Sequence, residues 1–155
     1  QGRPFVGKAG QLLTKIIESI GLSREAVYIT NIVKCHPMVN PLLPNKRGND
    51  RPPTEDEILA CLPYLITQIE IVTPKIIVTL GNVATQTLLR RFNCINEETT
   101  NLLGSGITKL RGKLYQYKSI KILPTYHPAA LLRNTRLKKY VWEDMKLLKA
   151  ELEQD

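Results

Sequence analysis

Three stretches of this 155-residue chain hold side chains whose types and spacing suit chemistry. In Pro124-Thr125-Tyr126-His127-Pro128, His127 stands just after a β-branched run and directly before a proline, whose fixed φ makes a rigid turn. A turn of that kind holds an imidazole at a sheet edge, although a lone histidine is also a common structural or exposed residue. Asn31, near the end of the apolar run Val27 to Val33, offers a carboxamide with both a donor and an acceptor. The plainer use of such an asparagine is to satisfy a nearby turn. The loop Gly2 to Gly10 carries Phe5, one of two phenylalanines, between Pro4 and a glycine-bearing turn, where a core role is less typical. Behind His127, Leu131-Leu132-Arg133-Asn134 puts an apolar wedge ahead of the basic residues Arg136, Lys138 and Lys139.

The elements that must position these groups follow from periodicity. Leu12, Leu13, Ile16, Ile17 and Ile20 share one helix face between Lys8 and Ile20, and Gly21 supplies the stop. Val27 to Val33 reads as a buried strand. Five prolines and mixed charges make Pro37 to Pro53 a surface loop. Thr54 and Glu57 form a capping box for a helix to about Ile71, with Ile58, Leu59, Leu62, Leu65, Ile66 and Ile69 inward and a kink or late start at Pro63. Lys75 to Leu80 is a second buried strand, and Asn82 caps a helix from Val83 to about Phe92. Asn93 to Gly106 reads as loop, Lys113 to Tyr117 and Ser119 to Leu123 as a strand pair, and Arg136 to Leu152 as a final helix. This alternation predicts an α/β fold with a mostly parallel sheet, in which active sites gather where strands end.

Composition narrows the function. The chain has room for one domain, 1–155, with a proper core. Its 22 basic against 14 acidic residues, a net charge of +8, favour a polyanionic partner or simply a solubilising surface. No apolar run reaches the roughly 18 residues of a membrane span, so an intracellular protein is expected. Cys35, Cys61 and Cys94 include no C-x-x-C pair and no disulfide framework.

The segments Gly2 to Gly10, Thr30-Asn31-Ile32-Val33-Lys34-Cys35 and Pro124 to Asn134, joined by Cys61-Leu62-Pro63-Tyr64-Leu65 and Pro74 to Gly81, occur in the order seen in iron-sulfur, family 4 uracil-DNA glycosylases. The resemblance spans nearly the whole chain. It implies a three-layer α/β/α fold and an enzyme that flips uracil out of DNA and hydrolyses its N-glycosidic bond. Phe5 matches the aromatic that stacks on the flipped base, Asn31 the uracil-reading carboxamide, and His127 the hydrogen-bond donor to uracil O2. Leu132, Arg133 and Asn134 match the segment that enters DNA and grips its phosphates. Cys35 and Cys61 match two of the four thiolates of a four-iron four-sulfur cluster.

The remaining ligands, the first strand and a first catalytic motif would lie before Gln1. The resemblance therefore describes a piece of a longer protein, itself weakly active or inactive and without an assembled cluster. Uracil-containing DNA is the expected partner and a monomer the expected state. Two other readings stay open. One is a non-catalytic nucleic-acid-binding module of the same fold; the other is a phosphate-binding α/β domain, whose glycine loop here lacks both G-x-G-x-x-G and Gly-Lys-Ser/Thr.

Overall fold

The computed structural model describes residues 7–32, 42, 53–94 and 97–154. Phe5, Cys35 and, apart from Leu42 and Pro53, the expected loop 37–53 lie outside the described residues. In chain order the elements are α1 (Lys8–Ser19), α2 (Glu55–Val72), β1 (Ile76–Leu80), α3 (Asn82–Arg91), α4 (Glu97–Leu103), α5 (Ile107–Leu110), β2 (Tyr115–Tyr117), β3 (Ile120–Thr125), α6 (Pro128–Arg133) and α7 (Lys138–Leu152). Single 3-10 turns stand at Arg24–Ala26 and Thr135–Leu137. Two compact units result, one of Gln1–Ile29 with Pro74–Asp155 and one of Thr30–Thr73.

The first unit is built around β3. Ile122, Leu123 and Thr125 are fully buried, because β3 is central in a three-stranded sheet of order β1-β3-β2. β1 runs parallel to it, from Ile76 opposite Lys121 to Leu80 opposite Thr125, and β2 runs antiparallel, with Tyr115 opposite Ile122. The architecture is α/β, as expected from the sequence, and among the described residues the sheet joins one parallel and one antiparallel pair. Pro124 is tolerated in this central strand because the β2 ladder stops at Ile122, leaving no ladder bond for a proline nitrogen to lose.

Leu123 and Tyr126 pack with Ile20, Leu131 and the α7 residues Val141, Met145 and Leu148 in one core cluster. The α7 trio recurs at helical spacing, so one stripe of that helix is buried. α1 ends as expected at Gly21, whose φ of +84° lets its own amide and that of Leu22 bond back to Glu18 and Ile17.

In the second unit the capping box is present. The Glu57 amide donates to Thr54 Oγ1 at 3.2 Å, and the Thr54 amide donates to Glu57 Oε1 at 2.8 Å. α2 continues through Pro63 to Val72 with no late start. Leu65 is its buried residue; Leu59, expected inward, is exposed, since six residues away it lies about 120° round the helix from Leu65.

Three further expectations are corrected. Residues 27–32 form no strand: Val27 is extended, but β-branched residues only tolerate that backbone, and a strand needs a hydrogen-bonded neighbour. The polar stretch after Asn93 contains α4, whose buried Thr99 and Leu103 lie one turn apart. Asn82 does not cap α3; Gly81 takes that position, and Asn82 Oδ1 instead accepts from Gln86 Nε2 at 2.8 Å.

Candidate active site

β3 delivers its last residue, Thr125, into the core, and the chain then turns through Tyr126 and His127 into α6. Pro128 is the first residue of that helix, where a missing N–H removes no helical bond. His127 is its N-cap. The Ala129 amide donates to His127 Nδ1 at 3.0 Å, and the Ala130 amide donates to the His127 carbonyl at 2.9 Å. A ring nitrogen that accepts a hydrogen bond carries no proton, so the neutral imidazole holds its proton on Nε2. The neutral form is favoured: burial, and then the charge of Arg133, hold His127 below the ordinary histidine range.

Gly81, at the start of α3, closes on the same turn. Its φ is +87°, its amide donates to the Thr125 carbonyl at 2.9 Å, and a Cβ added to it would lie 3.1 Å from His127 Cβ. This is a position for glycine on two counts, backbone conformation and space.

Under the strand end lies a buried carboxylate. Asp144, 2% exposed, receives Arg111 Nη2 on Oδ1 at 2.5 Å, Arg111 Nε on Oδ2 at 3.1 Å and the Thr125 hydroxyl on Oδ2 at 2.6 Å. The carboxylate hydrogen bond raises the already high pKa of Arg111, whose guanidinium also covers the Tyr140 ring at 5.0 Å. Thr125, Arg111, Asp144 and Gly81 were not among the residues singled out from the sequence. A signal existed for Asp144: it interrupts the apolar stripe Val141, Met145, Leu148 with a charge.

The other expected site residues divide. On α6, Leu131 is 1% exposed and belongs to the core, so Leu132, 49% exposed, is the outward apolar residue of the pair. Arg133 and Asn134 are exposed, and Asn134 Oδ1 caps the next turn by accepting from the Arg136 amide at 3.2 Å. Asn31 belongs to the other unit and is exposed, outside any strand. Its neighbour Thr30 donates to Gln68 Oε1 of α2 at 2.9 Å.

Cys61 is half-buried in α2. Cys94, in the first unit, has its thiol 3.5 Å from the Gln116 carbonyl, and burial raises its pKa. Among the described residues no group of three or more His, Cys, Asp or Glu side chains is placed to hold a metal. A cubane cluster takes four thiolates, so these residues do not make a site for one. No described helix is long and apolar enough to cross a membrane.

The model of the uracil DNA glycosylase superfamily matches residues 1–148. The chain belongs to that superfamily. A type-4 uracil-DNA glycosylase of Sulfurisphaera tokodaii is 48% identical over 154 residues, which are 96% of this chain and 62% of that protein. A type-4 uracil-DNA glycosylase of Thermotoga maritima is 38% identical over 99% of this chain and 71% of its own length. A DNA polymerase of Bacillus phage SP01 is 32% identical over 96% of the chain, a match that covers 14% of the polymerase. The chain thus spans a little under two thirds of the Sulfurisphaera tokodaii glycosylase. Within the superfamily match lie both the His127 turn and the Gly81 contact that shapes it.

Proposed function

We propose that the protein is a uracil-DNA glycosylase, which removes uracil from DNA by flipping it out and hydrolysing the bond between N1 and the sugar C1′. The observation that carries this reading is the hydrogen bond from the Ala129 amide to His127 Nδ1. An Nδ1 that accepts from the Ala129 amide leaves Nε2 as the protonated nitrogen, so a neutral ring donates in one fixed direction.

The chemistry needs such a donor. As the C1′–N1 bond breaks, its electron pair leaves on the uracil ring and charge grows on O2, while the sugar becomes electron-poor. Water adds its oxygen to C1′, and its hydrogens end on the sugar hydroxyl and the released base. A donor aimed at O2 before the reaction begins stabilises the developing anion without reorganising, and removing one such donor costs about 2.7–4 kcal/mol in other enzymes. Asn31 reads the uracil edge through its paired donor and acceptor, and Phe5 stacks on the ring. Leu132 fills the space left by the flipped base, while Arg133 and Asn134 approach the flanking backbone. Uracil-containing DNA is the substrate, met by a monomer inside the cell, where DNA is. Cys35 and Cys61 supply half of the ligand set for the implied cluster.

The test is release of free uracil from a uracil-containing oligonucleotide by the full-length protein and its His127→Ala variant. Release that falls by orders of magnitude in the variant, with DNA affinity nearly unchanged, supports the assignment. The match to a segment of a phage DNA polymerase favours one alternative, a non-catalytic DNA-binding module in a larger DNA-handling chain. In that case the wild type binds DNA and releases nothing.

A further inference from the structure

Asp144 sits in the apolar stripe of α7 between core residues, and a carboxylate is unfavourable there unless its oxygens are engaged. Two of its three recorded donors come from Arg111, in a fork. The third is the Thr125 hydroxyl, on the last residue of β3 and two residues before His127. The same strand end is tied at two further points. Gly112 donates from its amide to the Pro124 carbonyl at 3.0 Å, and Gly81 donates to the Thr125 carbonyl at 2.9 Å. Gly112 is also shaped to this group: its φ is +74°, and an added Cβ would lie 2.9 Å from Asp144 Oδ1.

A buried ion pair that served only to join elements would need no contact at the end of β3. This one extends to the residue from which the His127 turn departs.

We propose that Asp144, clamped by Arg111, is a positioning residue for His127, acting through the Thr125 hydroxyl to fix the strand end from which the His127 turn springs. The inference rests on the reading of His127 as the donor to the substrate. Thr125→Val keeps the shape of the side chain and removes the donated proton. Loss of the tether lets the turn shift, and a misplacement of about 1 Å at a reacting group can lower a rate about 100-fold.

The experiment is single-turnover uracil release by the full-length protein, with oligonucleotide affinity measured alongside, for Thr125→Val and Thr125→Ser in both the His127 and the His127→Ala background. Thr125→Val should slow release about 10- to 100-fold with affinity changed less than about twofold, and Thr125→Ser should recover most of the rate. In the His127→Ala background Thr125→Val should cause no further loss, because its effect runs through the missing ring. A wild-type rate for Thr125→Val, or an equal loss with and without His127, overturns the proposal. If His127→Ala alone leaves release unchanged, the donor reading of His127 fails first and this inference with it. Should Thr125→Val not fold, Arg111→Lys serves in its place, since it keeps the charge and loses the fork; the same dependence on His127 is expected.

Discussion

Gly81 and His127 meet at a distance that excludes a side chain on the former: an added Cβ would stand 3.1 Å from His127 Cβ, on a backbone whose φ is +87°. Gly81→Ala must therefore strain its own backbone and push the imidazole away. A left-handed residue other than glycine costs about 1–3 kcal/mol. Denaturant unfolding should show a loss of that size, and uracil release should fall because the displaced group is His127 itself. Stability and release both at wild-type levels would mean that the turn yields without consequence.

The titration of His127 has a defined sign. Its folded pKa lies below the unfolded value of about 6.5, through burial first and Arg133 second. Above that pH both states are neutral and the group costs nothing. As pH falls through it, the unfolded chain takes up a proton that the folded chain resists, so stability declines toward acid until the folded pKa is passed. Protonation also removes the Nδ1 acceptor used by the Ala129 amide, so release should fall on the same acid side. Arg133→Gln removes the second cause, and the His127 ring resonances should then titrate at higher pH. With two histidines in the chain, His127→Ala identifies the signal. An unmoved or lower titration point would contradict the assigned influence of Arg133.

Leu132 and Arg133 should separate into different measurements. Arg133→Gln should weaken binding to any DNA sequence and reduce the salt slope of log affinity by about 1, as expected for one phosphate contact. Leu132→Ala removes an exposed apolar side chain from α6, so it should leave folding stability within about 0.5 kcal/mol. Its release rate on duplex uracil should drop while the rate on single-stranded uracil holds, because flipping from a stack is the step a wedge assists. Equal effects on both substrates would remove Leu132 from that role.

Thr54→Ala tests the second unit by itself. It deletes the hydroxyl that accepts from the Glu57 amide, one of the two bonds of the α2 capping box, and the expected loss is about 1 kcal/mol in unfolding free energy. A loss below a few tenths would mean that the start of α2 is held by other contacts.

Much of this architecture is legible in the residues. Dense helical spacing marks α1 and α7, the Thr54–Glu57 pair marks the start of α2, and β-branched runs mark β1 and β3. What escapes is set by tertiary contact. α4 buries Thr99 and Leu103, one residue per turn, too sparse a pattern to stand out from a polar loop. Residues 27–32 have strand composition without a ladder, and composition cannot say whether a partner is present. The histidine turn is visible as a motif, yet its control is not: Gly81 matters for the space beside His127, and Thr125 for a carboxylate 19 residues further along the chain. Asp144 alone left a trace, as a charge in an apolar stripe.

The most direct test is uracil release by the full-length protein and its His127→Ala variant, measured on the same oligonucleotide with DNA affinity recorded in parallel. Loss of one preorganised donor predicts a fall of about 100- to 1,000-fold in release rate with affinity nearly unchanged. Release at the wild-type rate by His127→Ala would contradict the account, because the neutral Nε2–H donor would then have no part in the reaction.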